Sequence, residues 1–186
     1  LELAREDLSQ YQINENDTVI GLAASGRTPY VIGGLRYARE IGALTGAISC
    51  VQNAEISKFA DYPIEAVTGA EAIMGSTRMK AGTAQKLILN MISTSVMIKL
   101  GKVYKNYMVD LKPTNKKLVV RSKNMIRTLT GVDDELAEKL YEESGHNVKK
   151  ALIMEIMDVD RQTAEEALMM GNGHIKRAIQ VLGGDI

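Results

Sequence analysis

The sequence predicts an α/β fold in which a parallel sheet flanked by helices is followed by an all-helical C-terminal subdomain. Three observations support this prediction. Short apolar runs alternate with helical patterns in the first half, loops of very small residues follow two of these runs, and a helical pattern repeats in the second half. Strands that alternate with helices form parallel sheets with right-handed crossovers. We therefore assign residues 1–112 to a sheet-containing domain and residues 113–186 to a helical subdomain.

Composition excludes several classes of partner. Lysine and arginine together number 23, as do aspartate and glutamate, so the formal net charge is +0. Nucleic acids and membrane surfaces attract basic chains, and we therefore expect neither as a partner. The single cysteine, Cys50, cannot form an internal disulfide, which suits a reducing compartment, and no apolar run is long enough to span a bilayer. We expect a cytoplasmic protein.

The first elements follow from apolar spacing. Residues 1–9 are compatible with the end of a helix, and the apolar run at residues 19–22 is short enough for a strand that is covered on both faces. Helical spacing then continues from Pro29, which suits a first helical position, to Ile41. Thr28 suits the N-cap of this helix, and Gly42 suits its end.

Two further strands and a long helix complete the first part of the chain. We predict strands at residues 43–50 and 64–67, with a short helix or turn at residues 58–61 between them. From Met79 to about Leu100, a helix is apolar on most of its sides. Such a helix must be buried, either within its own domain or against another subunit. We therefore expect a homo-oligomer, in its simplest form a homodimer.

A loop of small residues joins the first strand to its helix. Small side chains let backbone N–H groups approach a ligand closely, and the helix that follows directs its positive end toward the same place. The hydroxyls of Ser25 and Thr28 could add hydrogen bonds, and Arg27 could add charge. The predicted phosphate-binding residues are Ala24, Ser25, Gly26, Arg27 and Thr28. A plain strand-to-helix turn with a good cap is the alternative.

A second hydroxyl-rich loop follows the third strand and opens the long helix. Ligands of parallel sheets bind beyond the carboxyl ends of the strands, so the two loops together predict a phosphorylated small molecule. The candidate residues of this loop are Ser76, Thr77 and Lys80. Lys80 and Arg78 either balance phosphate charge or flank a helix start. Glu71 either acts on a sugar as orienting group, acid or base, or is a structural carboxylate that bonds loop amides.

The tail contains an internal repeat of a small helical hairpin. Val132 and Val159 are identical residues that lie 27 positions apart, and other pairs of identical residues share this offset. Each copy consists of a helix, a turn and a second helix with apolar residues inward, namely Val148, Ala151 and Leu152 in the first copy and Ile175, Ala178 and Ile179 in the second. His146 and His174 lie at the turns, where local hydrogen bonding is the ordinary explanation, and we expect no metal site.

Two segments, Ala23–Tyr30 and Gly75–Lys86, together with the short stretch Gly69–Glu71 before the second, resemble the sugar isomerase (SIS) phosphosugar-binding fold. More narrowly, they are similar to the bacterial N-acetylmuramic acid 6-phosphate etherases and the related glucokinase regulatory protein. The resemblance extends from about Asp17 to Leu182, and the helical hairpins of the tail resemble ubiquitin-associated domains. The second segment is highly specific, because ordinary loop chemistry does not demand so many fixed residues.

The resemblance implies a lyase of cell-wall sugar recycling. Such an enzyme removes D-lactate from N-acetylmuramic acid 6-phosphate with water and yields N-acetylglucosamine 6-phosphate, by elimination followed by hydration and without a metal or other cofactor. In SIS proteins the loop that matches Ala24, Ser25, Gly26 and Thr28 binds the sugar phosphate. The position that matches Ser76 also faces the sugar.

The resemblance also implies that part of the site lies elsewhere. The family's two acid/base glutamates and its first phosphate loop belong to a segment upstream of Leu1, so neither role transfers to Glu2 or Glu6, and Glu71 is the remaining candidate. We therefore expect this polypeptide alone to be inactive and its sheet to be short of strands. Two other functions stay open: a non-enzymatic phosphosugar sensor whose tail contacts a partner protein, and an aldose–ketose isomerase.

Overall fold

The computed structural model describes residues 1–185 and divides into two compact units, Leu1–Ile92 and a second unit that begins at Ser93. The domain division that the sequence suggests at residue 112 stays a prediction. Within residues 1–185, no helix combines the length and apolarity needed to cross a membrane.

A three-stranded parallel sheet lies in the first unit. Its strands are β1 (Thr18–Leu22), β2 (Leu44–Ser49) and β3 (Tyr62–Glu65), and β2 lies in the centre. The parallel α/β architecture is thus confirmed. Strand β3 starts and ends two residues earlier than predicted. Pro63 is tolerated because β3 is an edge strand, and the bond from the Ala66 amide to the Ser49 carbonyl (2.9 Å) continues the pairing beyond the strand.

The helices of the first unit are α1 (Glu2–Ser9), α2 (Pro29–Glu40) and the first part of α3 (Lys80–Lys99), with a short 3₁₀ helix at Glu55–Phe59. Helix α2 begins at the predicted proline and ends in a Schellman motif, in which the Ala43 amide bonds to the Ala38 carbonyl (3.0 Å) and Gly42 has a φ of +83°. The 3₁₀ helix begins three residues before the predicted position. Leu35, Ile48 and Ile56 are fully buried.

The burial expected for α3 is wrong for this chain by itself. Within the helix only Ala81 and Ile88 are buried, whereas Leu87 and Met91 are 50% and 61% exposed. Ile92 of α3 lines an apolar cavity of about 210 Å³ together with residues of all three strands. The other alternative, that α3 packs against another subunit, stays a prediction.

The second unit begins within α3 and contains a hairpin that the sequence analysis missed. Strands β4 (Val103–Tyr104) and β5 (Tyr107–Met108) pair in antiparallel register. The helices that follow are α4 (Lys116–Thr130), α5 (Asp134–Glu143), α6 (Val148–Met157), α7 (Arg161–Met170) and α8 (Ile175–Val181). The two predicted helical hairpins are confirmed as α5–α6 and α7–α8.

Equivalent caps fix the two copies of the repeat. Asp133 accepts a hydrogen bond from the Leu136 amide at the start of α5, and Asp160 accepts one from the Thr163 amide at the start of α7, both at 2.8 Å. An aspartate at this position satisfies one of the free N–H groups of a helix start. The predicted inward residues of α6 and α8 are all buried.

Candidate functional site

The loop after β1 is built from backbone hydrogen bonds. The Gly26 amide donates to the Ala23 carbonyl (2.9 Å), and the Gly26 carbonyl accepts from the Ile56 amide (2.9 Å). Gly26 has a φ of +67°, and a Cβ atom there would lie 2.4 Å from the Cβ of Ala54. Only glycine therefore fits this position without distortion. The loop is a tight turn that leads directly into the N-terminus of α2.

The first turn of α2 has free hydrogen-bonding groups. Thr28 occupies the N-cap position, as predicted, but its hydroxyl does not cap the helix. Ser25, Arg27 and Thr28 are exposed, and among residues 1–185 the two hydroxyls have no hydrogen-bond partner. Amides at the start of a helix and nearby hydroxyls suit an anion. Ala24 is half-buried and Gly26 is buried, and the Gly26 amide already donates to the Ala23 carbonyl.

Glu71 lies at the start of α3 and bonds to its first amides. Its Oε2 accepts from the Lys80 amide (3.1 Å), and its Oε1 accepts from the Ala81 amide (3.0 Å). These bonds, with the Ala81 amide the larger cause, hold the pKa of Glu71 below its ordinary value. A carboxylate in this state is a weak base. The contacts favour the structural alternative for Glu71 over proton transfer.

The other predicted residues of the second loop have different surroundings. The Lys80 ammonium donates to the Ala70 carbonyl (2.7 Å), which closes the loop against the helix start. Thr77 accepts a bond from the Gly82 amide through its backbone carbonyl (3.0 Å), so its exposed side chain is not needed for this contact. Ser76 is half-buried and Arg78 is exposed.

Cys50, at the end of β2, connects the two loops. Its amide donates to the Ala24 carbonyl (3.0 Å), and its carbonyl accepts from the Thr68 amide (3.5 Å). The buried thiol lies 3.6 Å from the Ala81 carbonyl. Burial, and to a smaller degree the charge of Glu71, raises the pKa of this thiol. In the sequence, Cys50 bears only on the question of disulfides, because its linking role depends on strand pairing that no local pattern reveals.

Glu65 is a second residue whose role the sequence analysis missed. Its carboxylate accepts from the Asn53 amide (2.8 Å), the Ala54 amide (2.9 Å) and the Ser57 hydroxyl (2.6 Å). The Ser57 hydroxyl is the largest cause of its lowered pKa. Glu65 thereby fixes the segment whose Ile56 amide supports the first loop. An acidic residue within the predicted strand at residues 64–67 was the available signal.

The two histidines have local partners. The Nε2 atom of His146 lies 2.8 Å from Glu142, four residues earlier, and the Nε2 atom of His174 lies 3.0 Å from the Lys99 carbonyl. In the part of the chain that the structure describes, no three His, Cys, Asp or Glu side chains are grouped so that they could hold a metal ion.

Three curated relatives are named N-acetylmuramic acid 6-phosphate etherase. The protein of Clostridium botulinum (strain Eklund 17B / Type B) is 62% identical over 180 residues, which are 97% of this chain and 60% of the relative. Those of Bacillus thuringiensis subsp. konkukian (strain 97-27) and Bacillus anthracis are each 57% identical over 178 residues, which are 96% of this chain and 60% of each relative. The chain thus spans about 60% of the length of these relatives.

A crystal structure of a proposed phosphosugar isomerase from Clostridium difficile 630 aligns with a TM-score of 0.45 and 18% identity, over 74% of this chain and 36% of that one. This similarity is too weak to support a conclusion. The SIS domain family, in contrast, matches residues 2–95, which include the loops after β1 and β3 and the three-stranded sheet. The chain therefore belongs to the SIS domain family.

Proposed function

We propose that this chain is the phosphosugar-binding part of a lyase that acts on N-acetylmuramic acid 6-phosphate. The lyase would cleave the D-lactyl ether and, with one water, form N-acetylglucosamine 6-phosphate and D-lactate. The relatives named as etherases support this activity, because they match 96–97% of the chain. Membership of the SIS domain family supports the phosphosugar.

One structural observation supports the binding site. Helix α2 begins without a side-chain cap, directly after a loop with two exposed hydroxyls that have no hydrogen-bond partner within residues 1–185. A helix start of this kind provides amide donors and a positive dipole for a phosphate. In this proposal the amides near Ser25 and Thr28 hold the sugar phosphate, and Arg27 adds positive charge. Ser76, Thr77 and Lys80 approach the same ligand from the second loop.

This chain orients the substrate in the proposed reaction, and we assign no proton transfer to it. Glu71 is an ionised carboxylate that is bonded to the Lys80 and Ala81 amides, and its lowered pKa disfavours it as a base. The phosphate contacts fix one end of the open-chain sugar, which holds the lactyl ether at a constant position relative to the loops. Such positioning alone supplies a large share of many rate enhancements.

Three further proposals accompany the activity. We propose that the protein is a homodimer, which is supported by the exposed apolar side chains of α3. We propose a cytoplasmic location, which the lone buried thiol of Cys50 suits. The proposed substrate is a cell-wall sugar, so we also propose a role in peptidoglycan recycling.

A binding experiment tests the site. Calorimetric titration of N-acetylmuramic acid 6-phosphate should show binding to the parent protein and at least about tenfold weaker binding to the Ser25→Ala, Thr28→Val double variant, because hydrogen bonds to charged groups are lost. Ser9→Ala removes an exposed hydroxyl from α1 and is the matched control. Unchanged affinity in the double variant, or equal loss in the control, would contradict the proposed site.

A product analysis separates the three candidate functions. On the protein at the length of its relatives, release of D-lactate and N-acetylglucosamine 6-phosphate supports the lyase. Formation of a ketose phosphate without lactate would identify an isomerase instead. Binding without any turnover would identify a sensor.

A further inference from the structure

One cavity of the second unit has a basic lining. Its volume is about 520 Å³, which is within the range of small-molecule sites. Residues from the end of α3, from the β4–β5 hairpin and from the start of α8 line it. Four of its lining residues are cations, namely Lys99, Lys105, Lys176 and Arg177, and none is an acid.

The charges of these four cations are not neutralised by neighbours. Among residues 1–185, none of them forms an ion pair with a carboxylate. Other cations of the same unit do so: Lys102 lies 2.9 Å from Asp110, and Lys150 lies 2.7 Å from Glu165. The cavity thus groups four cations that have no acidic partner among the described residues. Four cations that surround one space and have no ion pair in the described part of the chain favour a multiply charged anion.

The walls of the cavity are fixed by the fold. Lys105 occupies the hairpin turn with a φ of +52°, a conformation that costs a lysine about 1–2 kcal/mol. Its ammonium lies 5.7 Å from the centre of the Tyr104 ring. The Nε2 atom of His174 lies 3.0 Å from the Lys99 carbonyl, and because a carbonyl can only accept, this nitrogen carries a proton. The hairpin and the start of α8 therefore hold the lining in place.

We propose that this cavity binds the phosphoryl group of a small phosphorylated metabolite. The four cations contact the phosphate oxygens, and the apolar surface next to them, which includes Tyr104, contacts the carbon body of the ligand. Charge and volume favour a phosphate ester over a neutral sugar, which would leave the cations without partners. This proposal concerns the second unit only, and it does not depend on the activity proposed for the chain.

Backbone NMR of the isotope-labelled protein tests the proposal. The probes are N-acetylglucosamine 6-phosphate, inorganic phosphate and unphosphorylated N-acetylglucosamine, each at millimolar concentration. We expect the two phosphate probes to shift the amide resonances of residues 103–105 and 174–177, and the neutral sugar to leave them unchanged. The Lys105→Gln, Arg177→Gln double variant should weaken this binding at least about tenfold, because two charged hydrogen-bond donors are lost.

A matched control and local readouts keep the outcomes distinct. Lys139→Gln removes one positive charge from α5, outside the cavity lining, and should leave the shifts unchanged. Shifts near Ser25 and Thr28 report the first unit and are scored separately. The proposal is overturned if the phosphate probes leave residues 103–105 and 174–177 unshifted, if the double variant binds as tightly as the parent, if the control binds as weakly as the double variant, or if the neutral sugar produces the same shifts.

Discussion

At the scale of single residues, three carboxylates of the first unit hold backbone segments in place. Glu65 and Glu71 bond to amides of the chain after β2 and at the start of α3, and Asp61 accepts from both the amide (3.0 Å) and the hydroxyl (2.7 Å) of Thr45. The pKa of each is lowered, for Asp61 mainly by the Thr45 hydroxyl. The ionised form accepts these bonds more strongly than the neutral form, so we expect their contribution to stability to depend on pH.

Glu71→Gln tests this dependence. The pKa of Glu71 in the folded protein lies below its ordinary value of 4.5, so its contribution to stability is present above pH 4.5 and is lost as the pH falls through the folded pKa. We expect the variant to melt at a lower temperature than the parent at neutral pH. The difference should shrink on acidification, as measured by thermal unfolding across a pH series.

Glu15→Gln is the matched control for this prediction, because it removes the same charge from a side chain that bonds to no protein group within residues 1–185. Amide exchange at Lys80 and Ala81 should accelerate in Glu71→Gln and stay at the parental rate in the control. A difference in melting temperature that grows on acidification would contradict the assignment of Glu71 as a helix cap.

At the scale of the element, the conformation of the loop between β1 and α2 depends on the close approach of Gly26 to Ala54. We expect Gly26→Ala to destabilise the protein by more than Gly42→Ala in urea unfolding. Both positions have positive φ, which costs an alanine about 1–2 kcal/mol. Only at Gly26 does the new Cβ also overlap a neighbour, and such overpacking typically costs about 1–3 kcal/mol more.

The Gly42→Ala variant is the internal reference, since the nearest atom to its new Cβ lies at an ordinary contact distance of 3.6 Å. Equal losses of unfolding free energy in the two variants would mean that the loop shifts to accommodate the new Cβ and that the contact with Ala54 does not fix its position.

Elements with a strong local pattern could be predicted from the sequence, and those formed by distant contacts could not. Helix α2 was predictable because Pro29 and Gly42 mark its ends, and the repeat was predictable from its constant spacing. The β4–β5 hairpin was missed because strands of two residues have no periodicity. The 3₁₀ helix was misplaced because the carboxylate of Glu65, later in the chain, sets its position.

The same distinction applies to the candidate site. Ser25 and Thr28 could be selected because the small residues around them and the helix start are adjacent in sequence. The role of Cys50 could not be predicted from the sequence, since its bonds to Ala24 and Thr68 form only after the three strands have paired. The two possible roles of Glu71 were separated only by its distances to the Lys80 and Ala81 amides.

At the scale of the whole molecule, α3 presents large apolar side chains to solvent. Leu87 and Met91 are four residues apart and therefore lie on one face of the helix. Exposed apolar surface of this kind marks association. We expect the parent to sediment as a dimer and Met91→Glu to shift it toward the monomer, because the new charge would be buried without a partner.

Met169→Glu is the matched control, since Met169 is 68% exposed on α7 and carries no predicted contact with a second copy. It should sediment as the parent does. A parent protein that is monomeric at every concentration, or a control that dissociates as Met91→Glu does, would contradict association through α3.

The peptide groups on either side of Cys50 anchor both strand-end loops to the middle strand of the sheet. Both loops are therefore attached to the same point, the end of β2. A translation of this strand end should move the two loops together and preserve the distance between them, whereas a twist of it should change the positions of both. A ligand bound by both loops would in turn reduce the mobility of β2, so ligand binding and the rigidity of the sheet are coupled.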